Sequence, residues 1–265
     1  MKTKESIVKK QSALINNLII DTKKYIQSID KKEIQTILLS GSVSRGDFNP
    51  GKYGGMIDLT VMKKPGSTIS VESIFGKDEE PYIPYHCITV NNTHYQILFI
   101  DFVDYKAFQT FEEPRKFAFL ESQILWDQEN RYQKELELIE KYAKIDQAKQ
   151  LNICLHYIDH LLSDYKKDRW FRRDAFCQMH DNLNTSIRLI LNCIYYINGK
   201  YAPAEDRKLY YSFSLDKLPK NYEENIIEIF KQIITSESDY NRREKLFNDL
   251  FLDFVTKNRP TTAST

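Results

Sequence analysis

Long apolar runs are missing from this 265-residue chain. Its longer ones, such as Ile97 to Ile100, fall far short of the roughly 20 residues a membrane helix needs, and the N-terminus has no secretory apolar core. A soluble, cytoplasmic protein with no membrane partner is expected. Charge of one sign is missing too: 38 Lys and Arg stand against 37 Asp and Glu, a net charge of +1. No bulk field would draw such a chain to nucleic acid or anionic lipid, which argues against a nucleic-acid partner and requires any polyanion site to be local. Cysteine is sparse. Cys87, Cys154, Cys177 and Cys193 are widely spaced with no CxxC pair, which argues against a zinc site or a disulfide framework and leaves reduced, buried thiols. Glycine is nearly absent after Tyr105, where only Gly199 occurs, and internal repeats are absent throughout.

What is present is enough apolar residue, 42%, to fill a sizeable core. Seven glycines before Tyr105 mark a turn-dense first part, and their scarcity afterwards marks a second part built differently. The domains expected are 1–105, 106–258 and a Thr/Ser/Pro tail over 259–265 that frays. Ile7, Leu14, Ile15, Leu18 and Ile19 recur at helical spacing and predict an amphipathic helix over Glu5–Ser28. Strands are predicted at Ile34–Leu39, Ile57–Met62, Cys87–Val90 and His94–Val103, the last two joined as a hairpin across Asn91-Asn92. Beyond Phe111, helical periodicity predicts Pro114–Trp126, Arg131–Tyr142, Asp146–Asp164, Arg173–Ile197, Tyr222–Thr235 and Asp239–Val255. Asn198-Gly199 stops the fourth of these, and Pro203 and Pro219 break the stretch between it and the fifth. The fold class expected is α+β: a mixed α/β domain followed by a helical bundle.

Chemistry concentrates in Leu38–Val61, LLSGSVSRGDFNPGKYGGMIDLTV. A strand running into Gly41-Ser42 and then a helix offers backbone N–H groups and a hydroxyl to a phosphate. Asp58 lies on the next strand, and Asp101 interrupts the apolar strand YQILFIDF. Carboxylates on neighbouring strands beside a phosphate-docking turn suit metal-assisted phosphoryl or nucleotidyl transfer, because Mg²⁺ takes oxygen ligands and bridges phosphates. Asp104 reads better as the N-cap of a helix starting just after it.

Ser40-Gly41-Ser42 with Arg45-Gly46, the Ile57–Val61 strand and Asp101 resemble the signature of the DNA polymerase β-type nucleotidyltransferase superfamily. The helical remainder is similar to the substrate-binding bundle of antibiotic (aminoglycoside or lincosamide) adenylyltransferase-like members. The resemblance implies transfer of a nucleoside monophosphate from an NTP to the hydroxyl of a small-molecule acceptor. It implies Mg²⁺ held by Asp58 and Asp101, the β- and γ-phosphates held by Ser42 and the Gly41 backbone, charge neutralised by Arg45, and an acceptor site in the bundle. One carboxylate of the family pair is missing. In one register Met56 occupies the first Asp position and Asp58 the second; in the other Asp58 is first and Thr60 second. A thioether is a poor ligand for hard Mg²⁺, so the metal site is expected to be weakened. Asp47 is the acid nearest at hand as a substitute, though an Asp there also serves a turn. The alternative reading is a catalytically inactive nucleotidyltransferase fold that binds a nucleotide or a partner.

Two weaker features lie in the helical part. Lys166–Arg173, KKDRWFRR, interleaves five basic residues with two aromatics, a pattern that receives phosphates or a stacked base, or else a solvated helix end. Arg173 and His180 resemble the Arg–His pair of HEPN-type ribonucleases, with six residues between them. His156 and His160 lie one turn apart without the Glu of a metalloprotease helix, and packing is expected of them.

Overall fold

The computed structural model describes residues 4–52 and 54–259, with the side chains of residues 4–8 left out. The side chain of Ile7 and the tail over 260–265 therefore lie outside the described residues. The chain divides into two compact units between Lys141 and Tyr142. The first carries a mixed sheet and the second is helical, the α+β class expected. No helix among the described residues is long and apolar enough to cross a membrane.

The first unit opens with α1 (Lys4–Ser28), β1 (Ile34–Ser40), the one-turn helix α2 (Gly41–Arg45), β2 (Met56–Lys63), α3 (Val71–Phe75), β3 (His86–Val90) and β4 (Thr93–Asp101). It continues through α4 (Tyr105–Gln109), α5 (Glu113–Leu120) and β5 (Gln123–Asp127) into the long helix α6 (Arg131–Leu161). Strand order is β3-β4-β2-β1-β5, with β2 parallel to β4 and the other pairs antiparallel. Strand side chains alternate between faces. Ile57, Leu59 and Val61 of β2 join Tyr95 and Ile97 of β4, Ile37 and Leu39 of β1, and Ile15 and Ile26 of α1 in one apolar core. The opposite face carries Met56, Asp58 and Thr60.

The hairpin joining β3 to β4 turns on Asn91 (φ 50°) and Asn92 (φ 62°), both in the left-handed region that a two-residue hairpin of this kind needs. The helix predicted over Pro114–Trp126 is corrected: α5 stops at Leu120, and Gln123–Asp127 is a strand on the free edge of β1. All seven residues of β1 are buried. Without β5 one edge of that strand would leave backbone groups unpaired in the interior, and a short apolar run such as ILW reads equally as helix or strand. The glycine-rich character ends near Tyr105, but α4, α5 and β5 carry the first unit on to Lys141.

The second unit holds the rest of α6, then α7 (Asp164–Phe171), α8 (Phe176–Ile197), α9 (Glu205–Ser212), α10 (Tyr222–Lys231) and α11 (Glu237–Phe247). A π turn over Asn248–Leu252 leads from α11 into α12 (Asp253–Lys257). The two helices predicted over Arg131–Tyr142 and Asp146–Asp164 are one. No Gly or Pro breaks the helix between them, and Asp146, read as a helix start, is buried within it and accepts a hydrogen bond from the Tyr201 hydroxyl at 2.7 Å. The start predicted at Arg173 moves to Phe176 because Asp174 adopts φ 49°. Gly199 (φ 69°) follows the end of α8 as expected, and α9 forms between the two prolines.

Candidate site on the sheet face

Gly41 fixes the geometry of the turn. Its φ is +67°, and a Cβ there would lie 2.7 Å from Cγ of Asp58 and nearer still to Oδ2. Only glycine, which tolerates the left-handed region and has no side chain, lets β1 enter α2 against this carboxylate. Asp58 in turn is the register partner of Ser40, the last residue of β1. The sequence-predicted association of Gly41 and Asp58 is therefore a contact.

The next residues hold α2 in place. Ser42, half-buried, accepts the Asp47 N–H on its carbonyl at 3.0 Å, and Gly46 (φ 78°) caps the turn. The Ser44 hydroxyl donates to the Glu121 carbonyl at 2.7 Å, and the Gln123 side-chain amide donates to the Ser44 carbonyl at 2.6 Å. Arg45 has a side chain only 7% exposed; its Nε lies 3.5 Å from Oδ1 of Asp47 and its guanidinium 5.9 Å from the Phe117 ring centroid. In this arrangement Arg45 braces the loop rather than presenting its charge to solvent. Asp47, 2% exposed at its side chain, is committed to the same buried pair and does not reach out as a substitute ligand.

The β2–β4 register decides which groups accompany Asp58. Asp58 pairs with Gln96, and Gln96 with Cys87 on β3; Met56 pairs with His94, and His94 with Thr89. Residues opposed in this way share a face. Beside the carboxylate there is thus an amide, and one step away a thioether and an imidazole. Thr60, the second carboxylate position in the alternative register, is buried and hydrogen-bonded to Ser40 at 3.1 Å, and Ser40 meets the Ser122 hydroxyl at 2.8 Å.

Asp101 is not part of this group. Its register partner is Lys63, five residues beyond Asp58, or about 16 Å along the strand. An odd offset also turns it to the other face of the sheet. There it forms an ion pair with Lys63 at 3.0 Å, with its side chain 80% exposed. The expected Asp58–Asp101 metal pair is thus corrected: the spacing of acids along the sequence does not reveal how far one parallel strand is slid past its neighbour. Asp104 caps α4 as expected, its Oδ1 accepting the Ala107 N–H at 2.8 Å.

Gln96 and His94 have no signal in the sequence and emerge only from register. The Thr89 hydroxyl donates to Oε2 of Glu79 at 2.6 Å, so the 2.9 Å contact between Thr89 Oγ1 and His94 Nδ1 has the imidazole N–H as donor. The Glu79 carboxyl is held below its usual range by the hydroxyl and amide of Thr89, and Asp78 by the amides of Cys87 and Glu80. These two side chains run along the outer edge of β3, satisfying the Cys87 and Thr89 N–H groups at 3.0 Å each.

The donor set does not fit the Mg²⁺ that the resemblance implies. Mg²⁺ takes hard oxygen ligands in near-octahedral geometry, whereas one carboxylate, an amide, a thioether and an imidazole line this face. Among the described residues no three His, Cys, Asp or Glu side chains are grouped so as to hold a metal ion.

In the helical unit Arg173 and His180 are not brought together. Arg173 Nη1 donates to the Arg169 carbonyl at 2.7 Å. His180 Nδ1 accepts from Nη1 of Arg243 at 3.0 Å, since a guanidinium can only donate. Arg243 is fully buried and has neutral partners throughout, Asn184 Oδ1 at 2.7 Å and the Ile229 carbonyl at 2.9 Å completing its set. Burial first, and the Arg243 charge second, push the His180 pKa down. His160 stacks on Tyr157 at 6.3 Å.

No family model and no curated protein matches this sequence. Among solved structures the chain is similar to a nucleotidyltransferase-like protein from Exiguobacterium sibiricum 255-15, with 8% identity and a TM-score of 0.42, over 91% of this chain and 73% of that one.

Proposed function

We propose that this chain is a nucleotidyltransferase-type fold that acts by binding rather than by Mg²⁺-dependent nucleotidyl transfer. The observation that carries the reading is the β2–β4 register, which sets Gln96 beside Asp58 and Asp101 beside Lys63. Transfer of a nucleoside monophosphate draws on carboxylates that share metal ions bridging the phosphates, and the strand positions paired with Asp58 and with Met56 bear no second acid. Met56 and Gln96 stand at the two neighbouring positions. Gly41 and Asp58 keep the turn-on-carboxylate contact that motivates the resemblance. With a single acid at the paired strand positions, NTP binding at Gly41 and Ser42 should gain nothing from Mg²⁺.

Calorimetric titration of each NTP, with and without Mg²⁺, tests this on the parent chain and on Asp58→Asn. The expected result is no Mg²⁺-dependent binding and no NTP consumption in either. Mg²⁺-dependent NTP consumption by the parent that disappears in Asp58→Asn would restore the transferase reading. A folded Met56→Asp/Gln96→Asp double variant should acquire Mg²⁺-dependent NTP binding, because it rebuilds an acidic group around Asp58.

A further inference from the structure

We propose that one face of α7, with the turn that ends it, is a contact site for single-stranded nucleic acid. Lys166, Arg169 and Trp170 follow one another at i, i+3 and i+4 and so lie along one face of α7, and Arg173, in the turn that follows, lies over the Trp170 ring. The segment's other two cations are engaged elsewhere. Lys167 pairs with Asp164 at 3.1 Å and Glu244 at 3.2 Å, and Arg172 with Asp168 at 2.9 Å. Among the described residues no carboxylate pairs with Lys166, Arg169 or Arg173. The acids of α7 instead lie on the opposite side of the helix, so the charges are sorted by face, and the cationic face has no internal counterion.

Trp170 sits at the centre of this face. The Arg169 and Arg173 guanidiniums lie 5.0 Å and 5.9 Å from its ring centroid, and Arg173 is tied back to the Arg169 carbonyl. On its inner side the indole, with Lys166 and Lys167, lies against Met179, Asn182 and Tyr240. Tyr165, 71% exposed, flanks the same face one turn before Arg169. A planar indole and planar guanidiniums are stacking surfaces for bases, and the cations beside them accept backbone phosphates. The face spans seven residues at 1.5 Å each, about 10 Å, the reach of two or three nucleotides. A duplex buries its base faces in its own stack, so the aromatic centre favours a single strand. The chain's near-neutral charge supplies no long-range attraction, and binding at so small a patch is local and sensitive to salt.

The sequence contains two tryptophans, so Trp126→Phe leaves Trp170 as the sole indole reporter in the full-length chain. Titration of this variant with a ten-residue oligothymidylate should quench its fluorescence. With about three phosphates engaged, the slope of log affinity against log salt is about −2, so raising salt fourfold should weaken binding about 20-fold. Adding Lys166→Ala/Arg169→Ala/Arg173→Ala, the first half-buried and the other two exposed, should reduce affinity at least tenfold and flatten the salt dependence. Absence of quenching at low salt, or equal affinity in the triple variant, overturns the proposal. Equal binding of a ten-base-pair duplex or of inorganic polyphosphate removes the stacking that singles out a single strand and overturns it as well.

Discussion

The contact between Gly41 and Asp58 can be weighed by a double-mutant cycle. Gly41→Ala places a methyl group at φ +67°, which costs about 1–2 kcal/mol for an L-residue in the left-handed region. It also drives that methyl to 2.7 Å from Cγ of Asp58 and into Oδ2, and forcing an extra carbon into a packed contact adds about 1–3 kcal/mol. The substitution should therefore destabilise by about 2–5 kcal/mol. In an Asp58→Ala background the colliding atoms are gone and the Cβ of residue 58 remains at 3.1 Å, so only the backbone cost of about 1–2 kcal/mol should persist. Gly66→Ala is the reference, with φ +80° and nothing within 4 Å of an added Cβ. Urea denaturation of the four cycle members and the reference measures each quantity. The two sites should be coupled by about 1–3 kcal/mol, well above the roughly 0.5 kcal/mol scatter of independent sites. If Gly41→Ala costs the same with and without the Asp58 carboxylate, the turn does not rest on Asp58 and the two residues do not form one site.

His180 has a depressed folded pKa, so below its unfolded value near 6.5 unfolding takes up a proton and stability falls with pH. Arg243 reinforces this and Asp181 opposes it. Urea midpoints compared at pH 7.5 and pH 5.5 should fall less in His180→Gln than in the parent; an equal fall in both would detach His180 from the effect. Tyr201→Phe removes the hydroxyl that donates to the buried Asp146 carboxylate and should cost about 1–3 kcal/mol by the same assay. Asp101→Asn breaks an exposed ion pair and should leave stability within about 1 kcal/mol and calorimetric NTP binding unaltered. Loss of NTP binding in that variant would mean that Asp101 reaches the Asp58 face after all.

The hairpin at Asn91-Asn92, the glycine at position 41 and the Asp104 cap are legible in the sequence because each follows from local chemistry: a left-handed turn, a forbidden side chain, a carboxylate three residues before an N–H. The partners of Asp58 are not. Asp101 looks like a companion because both acids interrupt apolar strands, but companionship in a sheet depends on register and on odd or even offset, which the spacing of residues along one chain does not contain. Gln96 and His94 acquire meaning only through the strand beside them. The strand Gln123–Asp127 is hidden for a related reason: its apolar residues satisfy either periodicity, and the demand that settles the matter is the unfilled edge of β1. Likewise a stretch rich in basic residues does not tell which of its cations are neutralised; Lys167 and Arg172 are, through Glu244 on a distant helix and Asp168 one turn back.

The acidic side chains beside β3 bear on what can pair with that edge of the sheet. β3 ends the sheet, and its outward amides would template any extended segment that drew alongside. Asp78 and Glu79 occupy those amides with their own carboxylates. A foreign strand must first evict two charged groups and then replace ionic hydrogen bonds with neutral ones. The same hydrogen bonds hold both carboxyls below their usual range, so the edge stays occupied at neutral pH. Edge-to-edge pairing through β3 should therefore grow easier as Asp78 and Glu79 are protonated.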